Sequence, residues 1–168
     1  MMIKLLVMDV DGTLTDGKIY IGPKGEEMKA FCVKDGYAIG TILPKMGVVP
    51  VIITGRESEI VKRRCEELSI AHLRQGVRNK KAILLEIAKG FEIVPNDKGV
   101  LLGIAYVGDD EPDYECMKMA ELSGCPADAS EHVKEIADFI SEKKGGEGAV
   151  RGFIEWICEN EGYSWKNC

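Results

Sequence analysis

Apolar residues along the chain come in short runs broken by glycine and by carboxylates. Ile3, Leu5, Leu6, Val7 and Met8 form the first run, interrupted only by Lys4. A run this short and continuous predicts a strand buried on both faces of a parallel sheet. Val48, Val49, Val51, Ile52 and Ile53 form a second strand, rich in β-branched residues. Ile70 to Leu73 is a third and Leu101 to Val107 a fourth. Between them the period lengthens. Ser58 to Leu68 puts Ile60, Val61, Cys65 and Leu68 on one helical face, with Glu57 and Glu59 at the end where the helix dipole favours acid. Asn79 to Lys89 is the next helix, stopped by Gly90. An earlier helix opens at Lys34-Asp35-Gly36 and runs towards Met46; Pro44 predicts that it ends or bends there. Beyond the fourth strand come a helix over 112–122, a short strand at 125–127, a helix over 131–137 capped by Ser130, a strand over 139–141 and a last helix to about Asn160. This alternation predicts an α/β chain with a central parallel sheet between helical layers, a Rossmann-like three-layer fold.

Two segments fall outside the alternation. Lys18 to Phe31 reads as a β-hairpin turning at Gly22-Pro23-Lys24-Gly25. A lone hairpin is marginal in water, so it packs on the body as a flap or on another subunit. Lys143 to Arg151 is basic and glycine-rich and precedes the last helix. It lacks the G-x-G-x-x-G spacing of a dinucleotide site and reads as a flexible tail near the functional site.

The chemistry sits where strands end. The first ends in Asp9-Val10-Asp11-Gly12-Thr13, and the carboxyl edge of an open α/β sheet is where ligands bind. Two acids this close stay ionised together only beside a cation. Mg²⁺ suits one or two carboxylates plus a phosphate, and a free carboxylate can attack phosphorus while its neighbour moves protons. The second strand ends in Thr54-Gly55-Arg56. That hydroxyl can donate to a phosphoryl oxygen, and the glycine admits close backbone approach. Lys80 and Lys81 open a helix where the dipole disfavours cations; Lys81 reads as solvated. The fourth strand ends in Gly108-Asp109-Asp110-Glu111-Pro112-Asp113.

These four stretches, in this order, resemble the motifs of the haloacid dehalogenase superfamily, whose members mostly hydrolyse phosphate esters. About forty residues separate Asp11 from Thr54, and fewer than about thirty separate Lys80 from Asp109. Predicted elements use most of both intervals, which leaves no room for a cap domain. The chain therefore reads as one capless domain over 1–168. Within the superfamily it resembles the 3-deoxy-D-manno-octulosonate 8-phosphate phosphatases, enzymes of lipopolysaccharide biosynthesis. The resemblance rests on Asp9 to Gly17, Val33 to Gly36, Thr54-Gly55-Arg56, Gln75-Gly76, Lys80, Gly108 to Asp110 with Pro112-Asp113, and Gly145 to Arg151. It departs at Gly152, where the family often has Glu, and at Pro44, where the family continues a helix.

The resemblance implies Asp9 as nucleophile and Asp11 as acid and base. It implies Mg²⁺ on Asp9, the backbone carbonyl of Asp11 and Asp109, with Asp113 as a further or supporting ligand and Asp110 open between the two. Thr54, Gly55 and Lys80 would hold the phosphoryl group. Arg56, Arg64, Arg78 and a neighbour's Arg151 are candidates for the substrate carboxylate, since arginine grips it in a fork. The resemblance also implies a homotetramer joined through the hairpins, with a neighbour's tail closing each site. Related enzymes act on nine-carbon sialic acid or KDN 9-phosphates; Arg56 favours the eight-carbon acid. Response-regulator receivers also gather acids, a Thr and a Lys around Mg²⁺, but have no acid two residues after the phosphorylated Asp, so Asp11 separates the two classes.

The net charge of −6 argues against nucleic acid or an anionic membrane as main partner. No apolar run is long enough to span a bilayer. With no signal peptide ahead of the first strand, the expected location is cytoplasmic. Six cysteines without a C-x-x-C pair read as reduced, packed thiols.

Overall fold

The structure is a computed structural model that describes residues 2–162. Its centre is a six-stranded sheet in the order β5-β4-β1-β6-β7-β8, with every neighbouring pair parallel. The strands are β1 (Leu5–Met8), β4 (Val49–Ile53), β5 (His72–Arg74), β6 (Leu101–Val107), β7 (Ala120–Cys125) and β8 (Phe139–Ile140). Alternate β1 residues feed two separate cores, which is why that strand reads as an unbroken apolar run. Leu6 and Met8 pack under α3 (Glu59–Glu67), α7 (Ala149–Asn160) and the 33–46 helical segment. Leu5 and Val7 pack under α4 (Lys80–Gly90), α5 (Glu111–Met119) and α6 (Glu131–Ile136). The chain leaves β1 for β4 and β5 on one side, then returns to β6 on the other. That reversal puts a topological switch point beside β1, where such sheets bind ligands.

Pro50 lies within β4 without breaking it. Pairing with β5 starts only at Val51, so Pro50 has a free flank where its missing N–H costs nothing. Pro44 is accommodated differently. The segment runs as α1 (Val33–Tyr37), a π-helical turn over Ala38–Ile42 and α2 (Leu43–Met46), closed by Gly47 in the left-handed conformation. The wider turn replaces the expected break: it spares the hydrogen bond that proline cannot make. α5 ends at Met119, earlier than the apolar pattern implies, because Ala120–Cys125 pairs with β6 instead.

The hairpin is β2 (Tyr20–Gly22) and β3 (Gly25–Met28) around Pro23-Lys24. Its register slips between Tyr20, opposite Met28, and Ile21, opposite Glu26, which leaves Glu27 as a bulge.

The glycine-rich segment is packed rather than loose over residues 143–148. A Cβ on Gly145 would lie 1.9 Å from the Gly12 carbonyl oxygen. Gly146 N–H donates to the Thr13 carbonyl at 3.2 Å, and Gly145 N–H to Asp128 at 2.9 Å. Only glycine admits this backbone-on-backbone contact. The part of the expected tail over 163–168 lies outside the described residues. Gly152 is under no such constraint, since a Cβ there meets nothing closer than 3.5 Å.

α7 starts at Gly148, which has no side chain to cap it. Asp35 supplies the cap from α1: its carboxylate accepts the Arg151 N–H at 2.7 Å and is 2% exposed. Burial raises the Asp35 carboxyl from 3.8 to about 6, against the pull of the Arg151 and Gly148 N–H groups and of the Arg151 and Arg64 charges. The folded chain thus holds this proton at a pH where the unfolded chain has lost it, so stability rises as pH falls from about 6 towards 4. Relative to Asp35→Asn, the unsubstituted protein should gain on the order of 2 kcal/mol across that window, seen as a difference in melting temperature that widens on acidification.

Candidate active site

Three strand ends and one helix start converge on a cleft of about 400 Å³. It is lined by Asp9 and Asp11 after β1, Thr54, Gly55 and Arg56 after β4, Arg78 and Lys80 at α4, and Asp109, Asp110 and Asp113 after β6. Asp9, Thr54, Lys80 and Asp113 are buried, while Arg56 and Arg78 stand exposed at the rim.

Lys80 is the hub. Its ammonium donates to Asp9 Oδ1 at 2.5 Å and to Asp113 Oδ1 at 2.8 Å. Burial opposes its charge, but Asp9 and Asp113 outweigh that and hold it above the ordinary lysine value. This explains a cation at a helix N-terminus: it is aimed at acids rather than at solvent. Lys81, its neighbour, pairs with Glu115 at the surface.

Asp113 is fully engaged. Oδ1 also accepts the Tyr106 hydroxyl at 2.7 Å. Oδ2 accepts the backbone N–H groups of Asp109 (3.2 Å) and Asp110 (3.4 Å). It thereby fixes the loop that presents Asp109, whose Oδ1 takes the Thr13 hydroxyl at 2.8 Å. Sequence reasoning missed Tyr106 and Thr13. A phenol in a fully apolar strand signals a hidden partner, since buried tyrosine hydroxyls find one.

Carboxylate oxygens of Asp9, Asp109 and Asp113 lie within 4.8 Å of one another. At an effective dielectric of about 20, two full charges that close repel by roughly 3 kcal/mol. Burial comes first and Asp113 adds to it, so the carboxyl of Asp9 is pushed up despite Lys80. Burial pushes Asp109 up likewise, against the Thr13 hydrogen bond. An all-oxygen donor set that repels itself fits a hard divalent cation such as Mg²⁺. Gly12 permits the cluster: with φ of +96°, it passes so close to Asp109 that a Cβ would sit 2.1 Å from Oδ2.

Asp11 does not join the clustered acids. Its carboxylate turns to the hairpin and forms an ion pair with Lys29. This leaves its backbone carbonyl as the group it can offer a metal. Lys29 is a further residue that sequence reasoning missed. Arg64 and Arg151 do not line the cleft of their own chain. Arg64 pairs with Glu67 at 2.8 Å and lies over Phe31; Arg151 pairs with Glu155 at 2.6 Å and lies over Tyr37.

Comparison with known proteins bears on this geometry. No family model matches the chain. Among curated proteins, the 3-deoxy-D-manno-octulosonate 8-phosphate phosphatases KdsC of Salmonella typhi and Escherichia coli K12 are each 43% identical over 160 residues, 95% of this chain and 81% of theirs. The chain belongs to the 3-deoxy-D-manno-octulosonate 8-phosphate phosphatase family. A solved family structure from Moraxella catarrhalis, in complex with magnesium ion, phosphate ion and KDO, matches with a TM-score of 0.86 at 39% identity, covering 94% of this chain and 86% of that one. The cobalt-bound Haemophilus influenzae phosphatase matches with a TM-score of 0.87 at 31% identity, over 95% and 90% of the two chains.

The acidic cluster makes metal binding measurable apart from turnover. Mg²⁺ should raise the melting temperature, because it binds the folded state. Asp109→Asn should remove most of that rise while leaving the metal-free melting temperature near or above its starting value. A thermal-shift titration with Mg²⁺ reads both.

Proposed function

We propose that the chain is a Mg²⁺-dependent phosphatase that hydrolyses 3-deoxy-D-manno-octulosonate 8-phosphate to the free keto-sugar acid and inorganic phosphate. The observation that carries it is Lys80 seated between Asp9 and Asp113 at the sheet's carboxyl edge, in a member of this family. The whole chain acts as one capless unit.

Asp9 attacks phosphorus in line, and the bond from phosphorus to the sugar oxygen breaks. Asp11, protonated on the oxygen that Lys29 leaves free, gives that proton to the leaving oxygen. It then takes a proton from the water that attacks the aspartyl-phosphate, which frees Asp9 and inorganic phosphate. Thr54, the Gly55 backbone and Lys80 hold the transferring group, whose spread charge is the main thing to stabilise. Asp9, Asp109 and the backbone carbonyl of Asp11 would hold Mg²⁺, which would supply positive charge against the charge developing on the phosphoryl oxygens. Asp113 keeps Lys80 and the Asp109 loop in place. Arg56 and Arg78, exposed at the rim of the same cleft, receive the substrate carboxylate.

A cytoplasmic location belongs to the same proposal. Among the described residues, no helix is long and apolar enough to cross a membrane. The hairpin exposes Ile19, Tyr20, Ile21 and Met28, with Ile21 at 75%. Such an apolar patch supports assembly into a homotetramer through the hairpins. Arg151 reaches a substrate only where that assembly brings it to another chain's cleft. Ile21→Asp should lower the solution mass measured by analytical ultracentrifugation.

Asp9→Asn should abolish phosphate release while the circular dichroism spectrum and melting profile stay those of a folded chain. A panel of sugar phosphates with Mg²⁺ should show highest kcat/KM for the eight-carbon acid. Preference for a nine-carbon 9-phosphate would reassign the substrate, and release by Asp9→Asn would reject the nucleophile.

A further inference from the structure

The charge facing Asp11 has no part in the chemistry above. Lys29 follows β3, and its side chain has no exposed surface. Its ammonium is shared between Asp11 Oδ1 and Glu26 Oε1, the latter at 3.0 Å. A buried ammonium is costly unless paired, so this position is built for two carboxylates. Glu26 is itself held. The Ser58 hydroxyl donates to its Oε2, and Ser58 caps α3 by accepting the Val61 N–H at 3.3 Å. The Ser58 N–H donates to Gln75 at 2.9 Å. The chain of contacts therefore runs from Asp11 through the hairpin to the helix that follows Thr54-Gly55-Arg56.

The bulge makes the pairing possible. Residues three apart on a regular strand point to opposite faces. The extra residue at Glu27 shifts the alternation by one and brings Glu26 and Lys29 to the same side.

We infer that Lys29, anchored by Glu26, is a positioning residue that holds the Asp11 carboxylate apart from the Asp9, Asp109 and Asp113 cluster, in the place its proton transfers require. Lys29 engages Oδ1 and so sets the carboxylate's orientation without joining the cluster of Asp9, Asp109 and Asp113. This inference rests on the proposed acid–base role of Asp11.

The test uses the full chain with Mg²⁺ and two esters. In 3-deoxy-D-manno-octulosonate 8-phosphate the leaving oxygen needs a proton; in p-nitrophenyl phosphate it leaves as a stable phenolate. Lys29→Met should lower kcat for the sugar phosphate by about 10- to 100-fold, less for the aryl ester, and change KM by less than about threefold. Lys29→Arg should restore part of the loss. In an Asp11→Asn background, Lys29→Met should lower kcat no further, because residues that act as one unit are not additive. Equal losses in both backgrounds, a loss confined to KM, or unchanged kcat would overturn the inference. If Lys29→Met does not fold, Glu26→Gln must show the same leaving-group dependence, in smaller degree, or the inference fails. Full turnover by Asp11→Asn would instead reject the acid–base reading of Asp11 itself, a result separable from the others.

Discussion

A buried ammonium between two buried carboxylates is the constraint on which the rest of the site depends. Lys80 reaches both Asp9 and Asp113, and those acids follow different strands of the sheet. Removing one partner of a buried ion pair costs about 3–5 kcal/mol, because a charge is left uncompensated. The misplacement of a cation at a helix N-terminus costs about 0.3–1 kcal/mol. Pairing therefore outweighs the dipole several-fold, and α4 tolerates Lys80 at its start. β1 and β6 are adjacent, which brings their terminal acids close enough to need that cation. The sheet order, and not any one motif, creates the demand that Lys80 meets in part and a divalent cation completes.

Backbone approach sets the second limit. Gly12 passes against Asp109, and Gly145 passes against Gly12. Three segments far apart in sequence thus meet at a pair of glycines that leave room for them. The glycine-rich segment leads into α7, whose start is capped by Asp35 from α1. The helical segment after the hairpin is therefore tied to α7, and α7 to the loop that follows Asp9. A side chain at Gly145 would displace the Gly12 loop, and with it Asp109, without touching the cleft.

What can be read in the sequence follows from these distances. Asp9, Thr54, Lys80 and Asp109 each lie at an element's end, where apolar pattern gives way to a polar residue, so their convergence follows once the sheet is parallel. The hairpin is legible as a hairpin, but not what its returning strand does. An alternation count puts Glu26 and Lys29 on opposite faces, and only the register slip reverses that. Pro44 is legible as a disturbance, yet its outcome depends on a π turn that no local preference announces. The start of β7 is hidden because Ala120 to Leu122 suits a helix as well as a strand; pairing with β6 decides it. Arg64 and Arg151 show where residue type fails as a guide. Both are arginines in suitable stretches, and both are turned towards aromatic rings and acids on the far side of the sheet from the α4–α5 layer.

The hairpin does two things at once. It exposes Ile19, Tyr20, Ile21 and Met28 to solvent, while Glu26 and Lys29 pair with groups on the body. Two strands of three and four residues have little stability of their own. What fixes them to the body is polar: Glu26 to the cap of α3, and Lys29 to Asp11. Those contacts are half-buried, so water and salt screen them less than they screen surface pairs. They also tie Asp11, at the end of β1, to the strands that carry the exposed apolar residues, so the cleft and that apolar face are joined through Lys29.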